Sequence, residues 1–289
     1  MKTIHAAISA VVLGSSLVAS VSAQTSAPAQ LRGSDTLFGV VTQAIGVLGL
    51  DTELTYTGGG SGLGETGLRS GTQGIAPMSR ALSAAGLQDL QGQGVTPVQH
   101  VIGLDGVAVF VKRSEALAQI DLSTLRAIFA CEITDWSAVP GAGKRGAIAV
   151  YRRNDASGTT DTFKTLVGVS TFGACATVLE STADLATVTS TNASAIGYSG
   201  LSGERADNKA IAVGAAAAGP FVAPSATTIR NFSYPLSRRL YVNAVSGARV
   251  PSEAEQLLLG ELTNRSFLDP ILTANEFVTC LPAAQGGCP

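Results

Sequence analysis

One pattern constrains the fold of this chain more than any other: an apolar run, a polar turn rich in glycine, serine or threonine, then apolar residues at helical spacing. It appears first in LRGSDTLFGVVTQAIGVLGL, where Leu37, Val40, Val41, Ile45 and Leu48 follow the turn Gly33-Ser34-Asp35-Thr36. Ser34 or Asp35 can cap that helix. LTYTG reads as a strand entering the glycine loop GGGSGLG, and GETGLRSG as a short helix leaving it. GIAPMSRALSAAGLQDL repeats the order with Ser79-Arg80 at its turn, and AIAVYRR ends in two arginines before NDASGTTDTFKTLV. VTPVQHVIGL and GVAVFVKR read as two strands bracketing Asp105-Gly106. This recurrence is the α/β pattern, in which ligands sit beyond the carboxyl ends of the strands.

Residues 1–23 have the form of an export signal: Lys2, an apolar run from Ala6 to Ala19, then Val21-Ser22-Ala23 with cleavage expected after Ala23. No cysteine follows the run, so a lipid anchor is not expected, and the mature chain is expected to be soluble and periplasmic or secreted. Charged residues make up 14% of the sequence and the net charge is −2, with no polybasic face, which argues against a nucleic-acid partner. Four cysteines without a C-x-x-C pair suggest two disulfides in an exported protein. Of the three pairings, Cys131–Cys175 with Cys280–Cys288 is favoured because the second closes a short loop.

Catalysis finds little support. His5 leaves with the signal, and His100 sits among apolar neighbours as a buried or strand-edge residue. Ser61 in GGGSGL lacks the glycine two places on that a nucleophile elbow requires. No His/Cys cluster suggests a metal, and no cofactor is expected. The run Gly59, four residues, Gly64, Glu65, Thr66 has the outline of a P-loop, but Glu65 replaces the lysine and would repel a nucleotide's phosphates. What remains is a loop of backbone N–H groups with Ser61 among them.

The octapeptide Arg153-Asn154-Asp155-Ala156-Ser157-Gly158-Thr159-Thr160 lies between a strand and a helix. A helix N-terminus offers unpaired N–H groups and partial positive charge to an anion. Ser157 and Thr159 add hydroxyls, Gly158 permits close approach and Arg153 adds a two-pronged donor, with Asp155 placed to hold that arginine. The alternative is a capped helix with a solvated arginine. With Asp35-Thr36-Leu37, Gly60-Ser61-Gly62 and Ser79-Arg80, the junctions converge on one small oxyanion.

The segments GSDTLFG, YTGGGSGLGE, IAPMSR, LDGVAVFV, LRAIFACEITDW, RRNDASGTTDTFK, AIGYSG and YPLSRRLYV, in this order, resemble the phosphate-binding proteins that feed ABC phosphate importers. The resemblance covers nearly all of the mature chain. It implies an α/β, two-lobed type II periplasmic binding-protein fold with two crossing hinge strands: lobe one from 24–108 plus 224–289, lobe two from 109–223. It implies that Thr36, the amide of Leu37 and Ser61 bind inorganic phosphate from lobe one, and that Arg153, Ser157, Gly158 and Thr159 bind it from lobe two. An inner-membrane ABC permease is the implied partner and a monomer the implied state. Ser79-Arg80 departs from members with serine then aspartate, so Asp35 is the candidate acceptor for the phosphate proton, unless it is a helix cap paired with Arg80. Another oxyanion, a phosphorylated metabolite, a secreted hydrolase using Ser61 or Ser157, or a sensory module on the same fold remain as alternatives.

Overall fold

The computed structural model describes residues 27–289 except Ala156, Glu276, Ala283, Gln285, Gly286 and Pro289. The expected export segment 1–23 lies outside the described residues. The expected alternation appears as β1 (Ala29–Gly33), α1 (Phe38–Leu48), β2 (Leu54–Gly59), α2 (Ser61–Ser70), β3 (Ile75–Met78), α3 (Ala84–Gly92) and β4 (Val95–Lys112). There follow β5 (Gln119–Asp121), α4 (Leu122–Phe129), β6 (Ala149–Arg153), α5 (Gly158–Val167), β7 (Ala176–Leu179), α6 (Thr182–Thr191) and β8 (Ala195–Gly200). The chain continues through β9 (Asn208–Ala210), β10 (Ala212–Gly214), β11 (Phe221–Val222), α7 (Ala226–Arg230), β12 (Ser237–Gly247), α8 (Glu253–Thr263) and α9 (Arg265–Ala274). No helix among the described residues is long and apolar enough to cross a membrane.

The stretch expected to form two strands around Asp105-Gly106 is one strand of 18 residues, β4. Its pairing explains the continuity. Val95 to Gly106 lies antiparallel to β12, and Val107 to Lys112 pairs with β8 and β9, so no turn is needed where the partner changes. The largest sheet therefore runs β3-β12-β4-β8-β6-β7, with β9 also on β4. His100 lies within β4 opposite Val242, half-buried as expected of a strand-edge histidine.

The two larger of the hydrophobic cores among the described residues lie on either side of this crossing, one in each lobe. One joins the apolar stripe of α1 (Val40, Val41, Ala44, Ile45) to Leu31, Leu54, Ile75, Leu240, Val242, Leu258 and Leu272. The other gathers Val107, Val109, Ile128, Phe129, Trp136, Phe163, Ile196 and Tyr198, and takes in Ile229, Tyr234 and Leu236 from the segment returning to lobe one. The cysteines pair as Cys131–Cys175 and Cys280–Cys288, with Cα separations of 6.0 Å and 4.7 Å.

One ion pair seats α2 against the turn that follows β3. Glu65, on α2, is 6% exposed and accepts from Arg80 Nη1 at 2.5 Å and from the amide of Ser83 at 3.2 Å; the Ser83 hydroxyl also donates to it. Burial pushes the Glu65 carboxyl up, but the hydrogen bonds from Ser83 and Arg80 outweigh it and hold the group below its ordinary value. A carboxyl depressed in the folded state stabilises the fold above its unfolded pKa and loses that contribution as pH falls through the folded value. Glu65→Gln should therefore lower Tm at pH 7, and the gap to wild type should narrow as pH is lowered through the carboxylate range. Thermal melts between pH 7 and pH 3 measure this; a constant gap would show that the charge contributes nothing.

Candidate oxyanion-binding site

Four turns at the carboxyl ends of strands meet where the lobes face each other. In the first, Ser34 rather than Asp35 is the cap: its Oγ accepts from the amide of Thr36 at 3.2 Å, and its own amide donates to Pro77 O at 2.8 Å. Leu37 is fully buried, and its amide donates to Ser34 O at 3.1 Å, so that N–H is engaged within the turn. Asp35 is turned the other way. Its Oδ1 accepts from the amide of Gly59 at 2.9 Å, and its Oδ2 has no hydrogen-bond partner among the described residues. Arg80 pairs with Glu65, and among the described ion pairs none joins it to Asp35, the pairing expected for Asp35 as a balanced acceptor or as a helix cap.

The glycine loop makes this contact possible. Gly58, Gly59 and Gly60 have φ of 61°, 93° and 104° in succession, a left-handed run that side chains resist. Gly60 donates to Gly33 O at 2.7 Å, and Ser61 then opens α2. Ser61 is fully buried; its Oγ lies 3.2 Å from Ser79 Oγ and accepts from the Ser79 amide at 3.1 Å.

From the second lobe, Ser157 caps α5, its Oγ accepting from the amide of Thr159 at 3.3 Å. Thr159 Oγ1 lies 3.0 Å from Thr36 Oγ1, so the structure brings these two expected residues together across the cleft. Arg153 ends β6 and is 6% exposed. It donates to Thr182 Oγ1 at 2.9 Å and to Glu180 O at 2.8 Å, while its Nε has no partner. No carboxylate lies within 4.0 Å of it among the described residues. Burial pushes its pKa down, opposed by Asp35 first among the nearby groups, yet a guanidinium stays protonated at any ordinary pH. Asp155 does not hold this arginine: it is exposed and pairs with Arg152 at 3.1 Å. The adjacent guanidinium takes it: Arg152, on the opposite face of β6 and lying over the Phe172 ring, reaches the same turn while Asp155 stays exposed.

Sequence reading missed Arg238 and Asp105, which are 5% and 1% exposed. Arg238 Nε and Nη2 donate to Asp105 Oδ2 at 2.9 Å and 2.5 Å. Nη2 also reaches Thr36 Oγ1 at 3.3 Å and Thr159 Oγ1 at 3.2 Å, and Nη1 reaches Thr162 Oγ1 at 3.3 Å. The available signal was a charge inside each of two apolar strands, LDGVAVFV and PLSRRLYV, since a buried charge requires a partner. A cavity of about 360 Å³ opens beside Arg238, lined among others by Ser79, Thr162, Thr165 and Tyr241; Thr36, Ser61, Arg153 and Ser157 do not line it. The cluster thus combines a buried guanidinium with no ion-pair partner among the described residues, a helix N-terminus and several small hydroxyls, a donor set matched to one small oxyanion.

Known proteins share this arrangement of elements. A family model described as a PBP superfamily domain matches residues 18–261. The phosphate-binding protein PstS of Pseudomonas aeruginosa is 26% identical over 225 residues, 73% of this chain and 70% of its own length. Alkaline phosphatase L of Pseudomonas aeruginosa is 40% identical over 67 residues, 23% of this chain and 16% of the phosphatase. The crystal structure of an ABC-type phosphate transport receptor from Vibrio cholerae superposes with a TM-score of 0.72 at 21% identity, over 88% of this chain and 99% of that one. That superposition extends the two-lobed fold across the described chain, and with most of its length matched by the family model the protein belongs to the PBP superfamily.

Proposed function

We propose that this protein is an exported receptor that captures inorganic phosphate between its lobes and delivers it to an ABC importer. The observation that carries the reading is Arg153: a buried guanidinium with an unpartnered Nε and no ion-pair partner among the described residues, next to the N-terminus of α5. A buried cation is costly unless an anion joins it, and a tetrahedral oxyanion supplies both the charge and the acceptors. Thr36 and Ser61 contribute hydroxyls from one lobe, and Ser157, Gly158 and Thr159 contribute hydroxyls and N–H groups from the other. The lobe division is 24–108 with 224–289 against 109–223, the α7 segment packing across it. Closure over the anion is a hinge motion about β4 and the return into β12. The likeness to a phosphate-binding protein, PstS, and to an ABC-type phosphate transport receptor supports phosphate as the ligand and an ABC transporter as the partner. A periplasmic monomer without catalysis completes the proposal.

Neither Ser61 nor Ser157 has a carboxylate or imidazole hydrogen-bonded to it among the described residues, which favours binding over hydrolysis. The 67-residue likeness to a phosphatase makes aryl-phosphate turnover the control assay. Calorimetry on the mature protein stripped of anion should give tight one-to-one phosphate binding that sulfate does not displace. Arg153→Met should weaken it by about a hundredfold or more, the loss of charge-assisted bonds worth roughly 3 kcal/mol. Equal binding of both anions, or turnover abolished by Ser61→Ala, would overturn the reading.

Selectivity is assigned to Asp35. Its free Oδ2 accepts the proton that phosphate carries, whereas fully deprotonated sulfate has none to give and meets an unpaired negative charge. A filter of this kind is worth factors of about 10⁴ or more. Asp35→Asn should therefore collapse the ratio of phosphate to sulfate affinity, read by competition of the two anions for the same site; an unchanged ratio would remove Asp35 from this role.

A further inference from the structure

We propose that Tyr198 is a positioning residue whose hydroxyl sets the anion-binding end of α5 against Arg153. The inference rests on the phosphate reading of this site. Tyr198 lies on β8, all six residues of which are buried, and is itself fully enclosed. Its ring stacks on Phe163 of α5, centroids 3.8 Å apart and planes 8° apart, with Phe129 and Phe172 at 5.4 Å and 6.2 Å. A phenylalanine would serve that packing equally well. The hydroxyl therefore has a separate task, because a buried phenol oxygen is retained where it has a partner.

That partner is Thr160 Oγ1, at 2.8 Å. Thr160 Oγ1 in turn donates to Arg153 O at 3.2 Å, so Thr160 accepts from Tyr198 and the chain runs Tyr198 O–H to Thr160 O–H to the Arg153 carbonyl. Both parts of the anion cradle hang on it. One end fixes the backbone of the residue that carries the guanidinium; the middle fixes the first turn of α5, where Ser157 and Thr159 present their hydroxyls. The turn is also tied internally, from Ser157 N to Asn154 Oδ1 at 3.0 Å and to Asn154 O at 3.2 Å, and outward through Asn154 Nδ2 to Glu180 Oε2 at 2.6 Å, Asp155 to Arg152, and Thr159 Oγ1 to Thr36 and Arg238, but none of these ties reaches β8. A binding constellation must be held to within about 0.5 Å by such supporting bonds. Burial pushes the phenol pKa up, so the hydroxyl keeps its proton throughout the pH range of binding.

The test is a double-mutant cycle read by phosphate calorimetry on the full mature chain, with Tyr198→Phe, Thr160→Val and the pair. Each single change should weaken phosphate about tenfold, and the pair no more than about twofold further, because one hydrogen-bonded chain is broken once. Thr160→Ser, which keeps the hydroxyl, should bind within about twofold of wild type. A purely structural role would lower the Tm of the anion-free protein while leaving phosphate affinity unchanged, or give additive losses, and either result overturns the inference while leaving the phosphate reading intact. If wild type binds no phosphate, the functional reading falls and this inference falls with it.

Discussion

Asp105 and Arg238 face each other across the antiparallel ladder of β4 and β12, and the rest of the cleft is arranged around that pairing. Taking both charges out of water costs several kcal/mol per ion, and their attraction repays it only when the remaining donors are satisfied. Here the guanidinium bonds one carboxylate oxygen twice and also reaches Thr36, Thr159 and Thr162. Those hydroxyls come from both lobes. A side chain rooted in the crossing strands thereby touches residues on both sides of the cleft.

Arg153 is the complement of Arg238. Both are buried, but only Arg238 has an ion-paired carboxylate among their described contacts. Arg153 is tethered by a threonine hydroxyl and a main-chain carbonyl, which orient the guanidinium without neutralising it. The division follows from position. Arg238 sits where strands of both lobes are paired and has to be compensated by the fold itself, whereas Arg153 ends a strand at a helix N-terminus, where partial positive charge adds to its own. That concentration of uncompensated positive charge is tolerable in a folded protein when an anion joins it.

Much of the architecture was readable from the chain, for physical reasons that differ by element. The α1 stripe and the caps at Ser34 and Ser157 are local, and local spacing encodes them. The first three glycines of GGGSGLG announced a backbone that other residues resist, and their φ angles show why. The unbroken β4 was not readable, because Asp105-Gly106 has the composition of a turn and only the simultaneous pairing with β12 on one side and β8 on the other keeps it extended. Partner choice was likewise hidden. Asp155 sits two residues from Arg153 in the sequence, yet Arg152 takes it, since alternation along β6 sends neighbouring guanidiniums to opposite faces.

By itself, then, the sequence determined the α/β alternation, the positions of the polar turns and the residue types that make an oxyanion site, because each depends on spacing within a few residues. Only the tertiary structure decided which charges cancel. Glu65 went to Arg80, Asp105 to Arg238, and Asp35 to the amide of Gly59, leaving Arg153 without an ion pair among the described residues. Pairing of buried charges depends on distances between segments as far apart as Asp105 and Arg238, and it is set by the packing of strands and lobes, which no local pattern encodes.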